Sequence, residues 1–167
     1  MQPLKRSFAP VIDNQIRLLI LGSLPGDASL AQSQYYGHPQ NQFWRLMADV
    51  LGIDLPAMNY QQRLATLLAN HVGLWDVVAQ ARREGSLDSQ IRDQTQNDLC
   101  ALISTLPHLT SIAFNGGSAA RLGLKSLKET AQRYRIIQLP SSSPAYTLAF
   151  AQKLLAWREL KIPLTAE

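Results

Sequence analysis

The chain has 167 residues, with 16 Lys and Arg against 12 Asp and Glu, a formal net charge of +4. At 46% hydrophobic and 17% charged it can bury one sizeable core, which excludes a disordered tail and fits a single unit over residues 1–167. The single cysteine, Cys100, excludes a disulfide scaffold, a cysteine-built zinc site and a cysteine-ligated iron–sulfur cluster, and it suits a reducing, cytoplasmic setting.

Lys5 and Arg6 are followed by Pro10, Asp13 and Asn14, so no signal-peptide core is expected. Residues 17–22 are an apolar run closed by Ser23, Leu24, Pro25 and Gly26, which predicts a buried strand entering a turn-rich loop. Phe43, Met47, Val50 and Leu51 recur at helical spacing with Gly52 as a stop, and residues 61–70 are a second helical stretch. Residues 71–78 predict a second strand running into a polar loop. Residues 94–106 read as a helix ended before Pro107. Residues 110–114 are a third strand, then a turn of Asn115, Gly116, Gly117 and Ser118 leads to a short helix. Residues 135–139 are a fourth strand. Ser143 and Pro144 then supply an N-cap and first turn for a last helix over 145–160. The longest uncharged run, 99–120, contains Pro107, His108, Asn115 and two glycines, so no membrane partner is expected.

Short apolar strands alternating with helices predict an α/β fold, a parallel sheet covered on both faces. The loops leaving such strands gather at one edge, where ligands bind. Here those exits are residues 23–26, 75–76, 115–118 and 140–143. In the first, small residues let backbone amides approach a ligand, and Tyr35 and Tyr36 downstream offer flat stacking faces. Asn41 stands just before a helix, as an N-cap or as a group for the ligand, with Tyr35, Phe43 and Trp44 equally readable as core. Asp76 is either a loop carboxylate or an acceptor at the site. Asn115 ends a strand where its amide can meet a base edge or merely close a crossover turn. Ser141 and Ser142 offer hydroxyls and amides to an anion, or cap a helix. His38, His71 and His108 lack metal-ligand spacing. Arg82-Arg83 and the series Arg121, Lys125, Lys128 read as basic, solvated faces.

The stretch from Gly22 to Gly26, the run Tyr35-Tyr36-Gly37-His38-Pro39-Gln40-Asn41-Gln42-Phe43-Trp44, and the later Leu139-Pro140-Ser141-Ser142-Ser143-Pro144-Ala145 resemble the uracil-DNA glycosylase superfamily. Within it they are most similar to the hypoxanthine-DNA (deoxyinosine) glycosylase branch. The resemblance implies a three-layer α/β/α fold with a short, mostly parallel four-stranded sheet. It implies removal of a deaminated base from double-stranded DNA by a monomer, with no metal and no cofactor. Gly22, Ser23, Pro25 and Gly26 then match a first motif and Ser141 and Ser142 a second, both facing the DNA backbone. Tyr35, Tyr36, His38, Asp76 and Asn115 fall to the base, and Asn41 is the implied catalytic residue. Leu24 stands where many relatives place an Asp or Asn, and Leu139 where many carry His or Asn. Both departures argue against efficient uracil-type catalysis.

Chemistry limits what Asn41 can do. A carboxamide orients a water but takes no proton from it, so the attacked sugar must already be strongly cationic, as in an oxocarbenium-like transition state. No lysine lies in the strand exits, so the expected product is an abasic site without strand cleavage. The rivals are a mismatch-directed uracil or thymine glycosylase and a non-catalytic nucleic-acid binding module.

Overall fold

Every residue of Leu18–Gly22 is buried, and the run forms strand β2 of a four-stranded parallel sheet. This computed structural model describes residues 4–165. Strands β3 (Val72–Asp76) and β6 (Ser111–Asn115) flank β2, and β7 (Arg135–Leu139) completes the order β3-β2-β6-β7. Such doubly flanked strands carry continuous apolar runs because both faces are covered.

Alternation along β2 divides the core in two. Leu19 and Leu21 join Ile112 and Phe114 beneath α4 (Leu99–Ile103) and α5 (Gly117–Leu127). Leu18 and Ile20 join Leu74, Ala113 and Ile137 against α2 (Phe43–Leu51), α3 (Tyr60–Ala69) and α6 (Phe150–Trp157). The result is the expected α/β/α sandwich. In α2 the buried residues Phe43, Leu46, Met47 and Val50 form one stripe, and Gly52 ends the helix at φ +69°. A reciprocal capping box between Asn59 and Gln62 starts α3.

The structure departs from the sequence expectations in four places. The expected polar loop after β3 is instead strand β4 (Val78–Arg82), which pairs antiparallel with β1 (Leu4–Arg6) and with β5 (Arg92–Gln96) in a second sheet. The expected helix over 94–106 is therefore a strand first. It restarts at Asp98, whose side chain accepts the Ala101 N–H at 3.0 Å and caps the short α4. A six-residue helix, α1 (Asp27–Gln32), also follows the Gly22–Gly26 turn. Finally, Ser143 does not cap the last helix. Its hydroxyl accepts the Ala145 N–H at 3.2 Å in a local turn, and α6 begins only at Phe150. A 3₁₀ turn and α7 (Lys161–Thr165) extend that end of the chain.

Candidate active site

The carboxyl ends of the parallel strands bring Gly22, Asp76 and Asn115 to one edge. Gly22 and Asp76 are register partners. A Cβ on Gly22 would lie 2.6 Å from Asp76 Oδ1 and 3.3 Å from the Tyr36 hydroxyl, so glycine is what lets these two groups meet there. Asp76 is 3% exposed, and its Oδ2 is buried without a hydrogen-bond partner. Burial pushes its carboxyl up to about 7, the charge of Asp88 adds to this, and Arg83 opposes it. The Tyr36 hydroxyl is also buried and makes no hydrogen bond of ordinary geometry. Its ring stacks on Phe43 at 3.9 Å, with the backbone at φ +56°. Burial, then the nearby Asp76, raise its pKa, so it stays a hydroxyl donor.

Asn41 lies half-buried before α2. Its Oδ1 accepts the Phe43 N–H at 3.0 Å, while Gln42 is the helix N-cap. One acceptor lone pair and the amide N–H groups of Asn41 thus remain for a ligand. The Gln42 N–H donates to the Ser142 carbonyl at 3.0 Å, which ties this corner to the loop after β7. In turn the Asn115 amide donates to the Ser142 hydroxyl and accepts the Ser142 N–H, both at 2.9 Å. Trp157 Nε1 holds the Pro140 carbonyl at 2.9 Å, and the buried Lys153 holds that of Ser143 at 3.2 Å. Among the described residues, no group of three or more His, Cys, Asp or Glu is placed to hold a metal ion. No described helix is long and apolar enough to cross a membrane. A groove of about 460 Å³ between α2 and α6, lined by Arg45, Asp49, Phe150 and Leu154, contains none of these residues.

The fold has counterparts in known proteins. The uracil DNA glycosylase superfamily model matches residues 9–161. The chain belongs to that superfamily. It is 49% identical over 112 residues to a hypoxanthine DNA glycosylase of Methanosarcina barkeri, covering 67% of this chain and 71% of that one. It is 44% identical over 142 residues to a hypoxanthine DNA glycosylase of Methanosarcina acetivorans, covering 85% and 88%. The solution NMR structure of a candidate uracil DNA glycosylase from Methanosarcina acetivorans superposes with a TM-score of 0.86 at 40% identity, over 98% of this chain and all of that one.

On this superfamily fold several predicted residues take places other than those expected. Tyr35 is 3% exposed, with its hydroxyl on the Ala9 carbonyl at 3.2 Å and its ring edge-on to Phe8, so it is core rather than a stacking face. Ser142 is 1% exposed, and its N–H, hydroxyl and carbonyl are all engaged; it is a strut between β6 and α2, not a phosphate contact. Asn115 is the other half of that strut. Ser23 is likewise buried, its hydroxyl on Asp88 at 2.7 Å. Pro25 is buried with its carbonyl held by Arg83, whereas Gly26 is half-buried at the start of α1. His38 is exposed, and its Nδ1 accepts the Gln40 N–H at 3.0 Å. Ser141 stays half-buried, accepting the Ser143 N–H at 3.1 Å. Leu24 and Leu139, the two superfamily departures, are core residues on opposite faces of the sheet.

Sequence reasoning missed three groups. Arg83, read as exposed basic surface, is fully buried, and Asp88 and Lys153 had no reading at all. No periodic cue marked Arg83, because β4 buries Val78 and Ala81, three apart, and register shifts along it break the two-residue alternation that would have pointed Arg83 inward.

Proposed function

We propose that this protein is a monofunctional DNA glycosylase. It hydrolyses the N-glycosidic bond of deoxyinosine in double-stranded DNA, acts as a monomer in the cytoplasm, and leaves an abasic site. The observation that carries the substrate is Asp76: a buried carboxyl with a free oxygen, opposite a glycine, at the edge where an extruded base would enter. As a carboxylate it accepts from N1–H of hypoxanthine, whereas N1 of adenine presents a lone pair and is repelled. Tyr36, backed by Phe43, offers the base an aromatic neighbour. Asn41 orients the water and stabilises its approach to the cationic sugar without taking its proton. The Gly22–Gly26 turn, Ser141 and the amides of the two loops face the phosphates. The names of the two Methanosarcina relatives at 44% and 49% identity support this substrate.

A second reading, mismatch-directed uracil or thymine release, draws support from the name of the solution structure. It is disfavoured by the buried leucines at positions 24 and 139. The test is a duplex oligonucleotide carrying one deoxyinosine. Free hypoxanthine and a strand that breaks only after alkali are expected. Binding without release would replace the enzyme with a binding module, and breakage without alkali would demand a lyase step.

A further inference from the structure

The connection between β4 and β5 grips the Gly22–Gly26 turn from behind. Arg83 extends its guanidinium to the carbonyls of Leu24, Pro25 and Gly85. Asp88 lies 3.6 Å from that guanidinium and accepts the Ser23 hydroxyl at 2.7 Å. Lys5 bonds Asp27 at 2.6 Å and also the Gly85 carbonyl, while the Ser86 hydroxyl accepts the Asp27 N–H at 2.9 Å. Burying a guanidinium is costly and a surface connection is ordinarily loose, so this density of contacts marks a segment whose shape matters.

The gripped turn begins at Gly22, against which Asp76 packs. The ionisable groups facing Asp76 are few. Asp88 and Arg83 come from the β4–β5 connection, and Tyr35 and Tyr36 from the segment after α1. The neighbouring strand end contributes Gly22 and the one beyond it Asn115, neither of which titrates. Both tyrosines are pushed towards the neutral form by burial and by Asp76 itself, so among the described residues the Arg83–Asp88 pair brings the charge that bears on this carboxyl.

We propose that Arg83 and Asp88 are positioning residues of the glycosylase site: Arg83 fixes the first-motif turn through its carbonyls, and the two side chains together set the charge that Asp76 presents to the base. This rests on the reading of Asp76 given under Proposed function. The two side chains act in opposite senses. Asp88 repels the ionised carboxylate and Arg83 attracts it, so removing either one moves Asp76 in a different direction. A purely structural clamp has no such signature.

The experiment is a carboxyl-carbon NMR titration of Asp76 in the full chain, paired with the pH profile of hypoxanthine release by the same samples. Asp88→Asn keeps the acceptor for Ser23 and removes the charge, so the Asp76 midpoint should fall by roughly half a pH unit or more. Arg83→Met should raise it; should that variant not fold, Asp88→Asn alone decides. Arg83→Lys keeps the charge but not the forked contacts, and should slow release about tenfold or more with the midpoint near that of the wild type. An Asp76 midpoint unmoved in Asp88→Asn overturns the charge role, and wild-type release by Arg83→Lys overturns the turn-shaping role. A midpoint that moves while the release profile stays put upholds the pair's action and instead removes Asp76 from base recognition, so the two failures are told apart.

Discussion

At the scale of single residues, the proposed function gives Asn41 and Asp76 different work according to their chemistry. Asn41→Ala should lower base release about 100-fold or more, since oriented polar groups are worth that much in the transition state. Its thermal stability should fall by only about 1 kcal/mol, for the lost bond to the Phe43 N–H, which a melting curve reads directly. Asp76 makes two linked predictions. If its carboxylate receives N1–H, release should rise with pH through about 7 and level off above, and Asp76→Asn should flatten that profile. The stability sign is opposite. The folded state holds this proton more tightly than the unfolded chain, so the wild type loses stability as pH climbs from the ordinary carboxylate range to about 7. Asp76→Asn should therefore be the more stable at alkaline pH, by on the order of 4 kcal/mol, with the advantage vanishing in acid. The places of these two residues in the fold were legible in the sequence, because one stands at a strand exit and the other beside a helix start. Ser142 and Ser23 were misread for the converse reason: a hydroxyl's residue type does not tell whether it faces an anion or a neighbouring loop.

At the scale of elements, the site is two loops braced to a sheet edge. The Asn115–Ser142 pair is the brace between β6, the loop after β7 and the start of α2. Asn115→Ala strands a buried N–H and should cost about 2 kcal/mol, lowering the melting temperature by roughly 4–8 °C. Because Asn41 adjoins the braced residue Gln42, base release should fall with it, which an assay well below the melting point would detect. The four parallel strands were legible as apolar runs closed by turn residues, and α2 as a stripe closed by Gly52. The second sheet was not. Strand β5 reads Arg-Asp-Gln-Thr-Gln with no apolar residue, and only its pairing with β4 makes it a strand. The late start of α6 was hidden by Ser143 and Pro144, which look like a helix start but close a turn.

At the scale of the whole molecule, the surplus of +4 is modest, and two cations near the site are paired in place, Arg83 with Asp88 and Lys5 with Asp27, while Lys153 is buried on the Ser143 carbonyl. Arg121, Lys125 and Lys128 are exposed along and just beyond α5. Duplex binding should therefore weaken with salt along a shallow log–log slope, of about −2 to −4, measured by anisotropy titration. On the proposed function, selection then lies in the contacts to the extruded base at the strand edge and not in the charge. The most direct measurement is single-turnover release from duplexes carrying hypoxanthine, uracil, xanthine or a thymine mispair, by the wild type and Asn41→Ala at equal concentration. Hypoxanthine should leave fastest, and Asn41→Ala should release almost none; uracil leaving as fast or faster, or undiminished release by Asn41→Ala, would contradict the account.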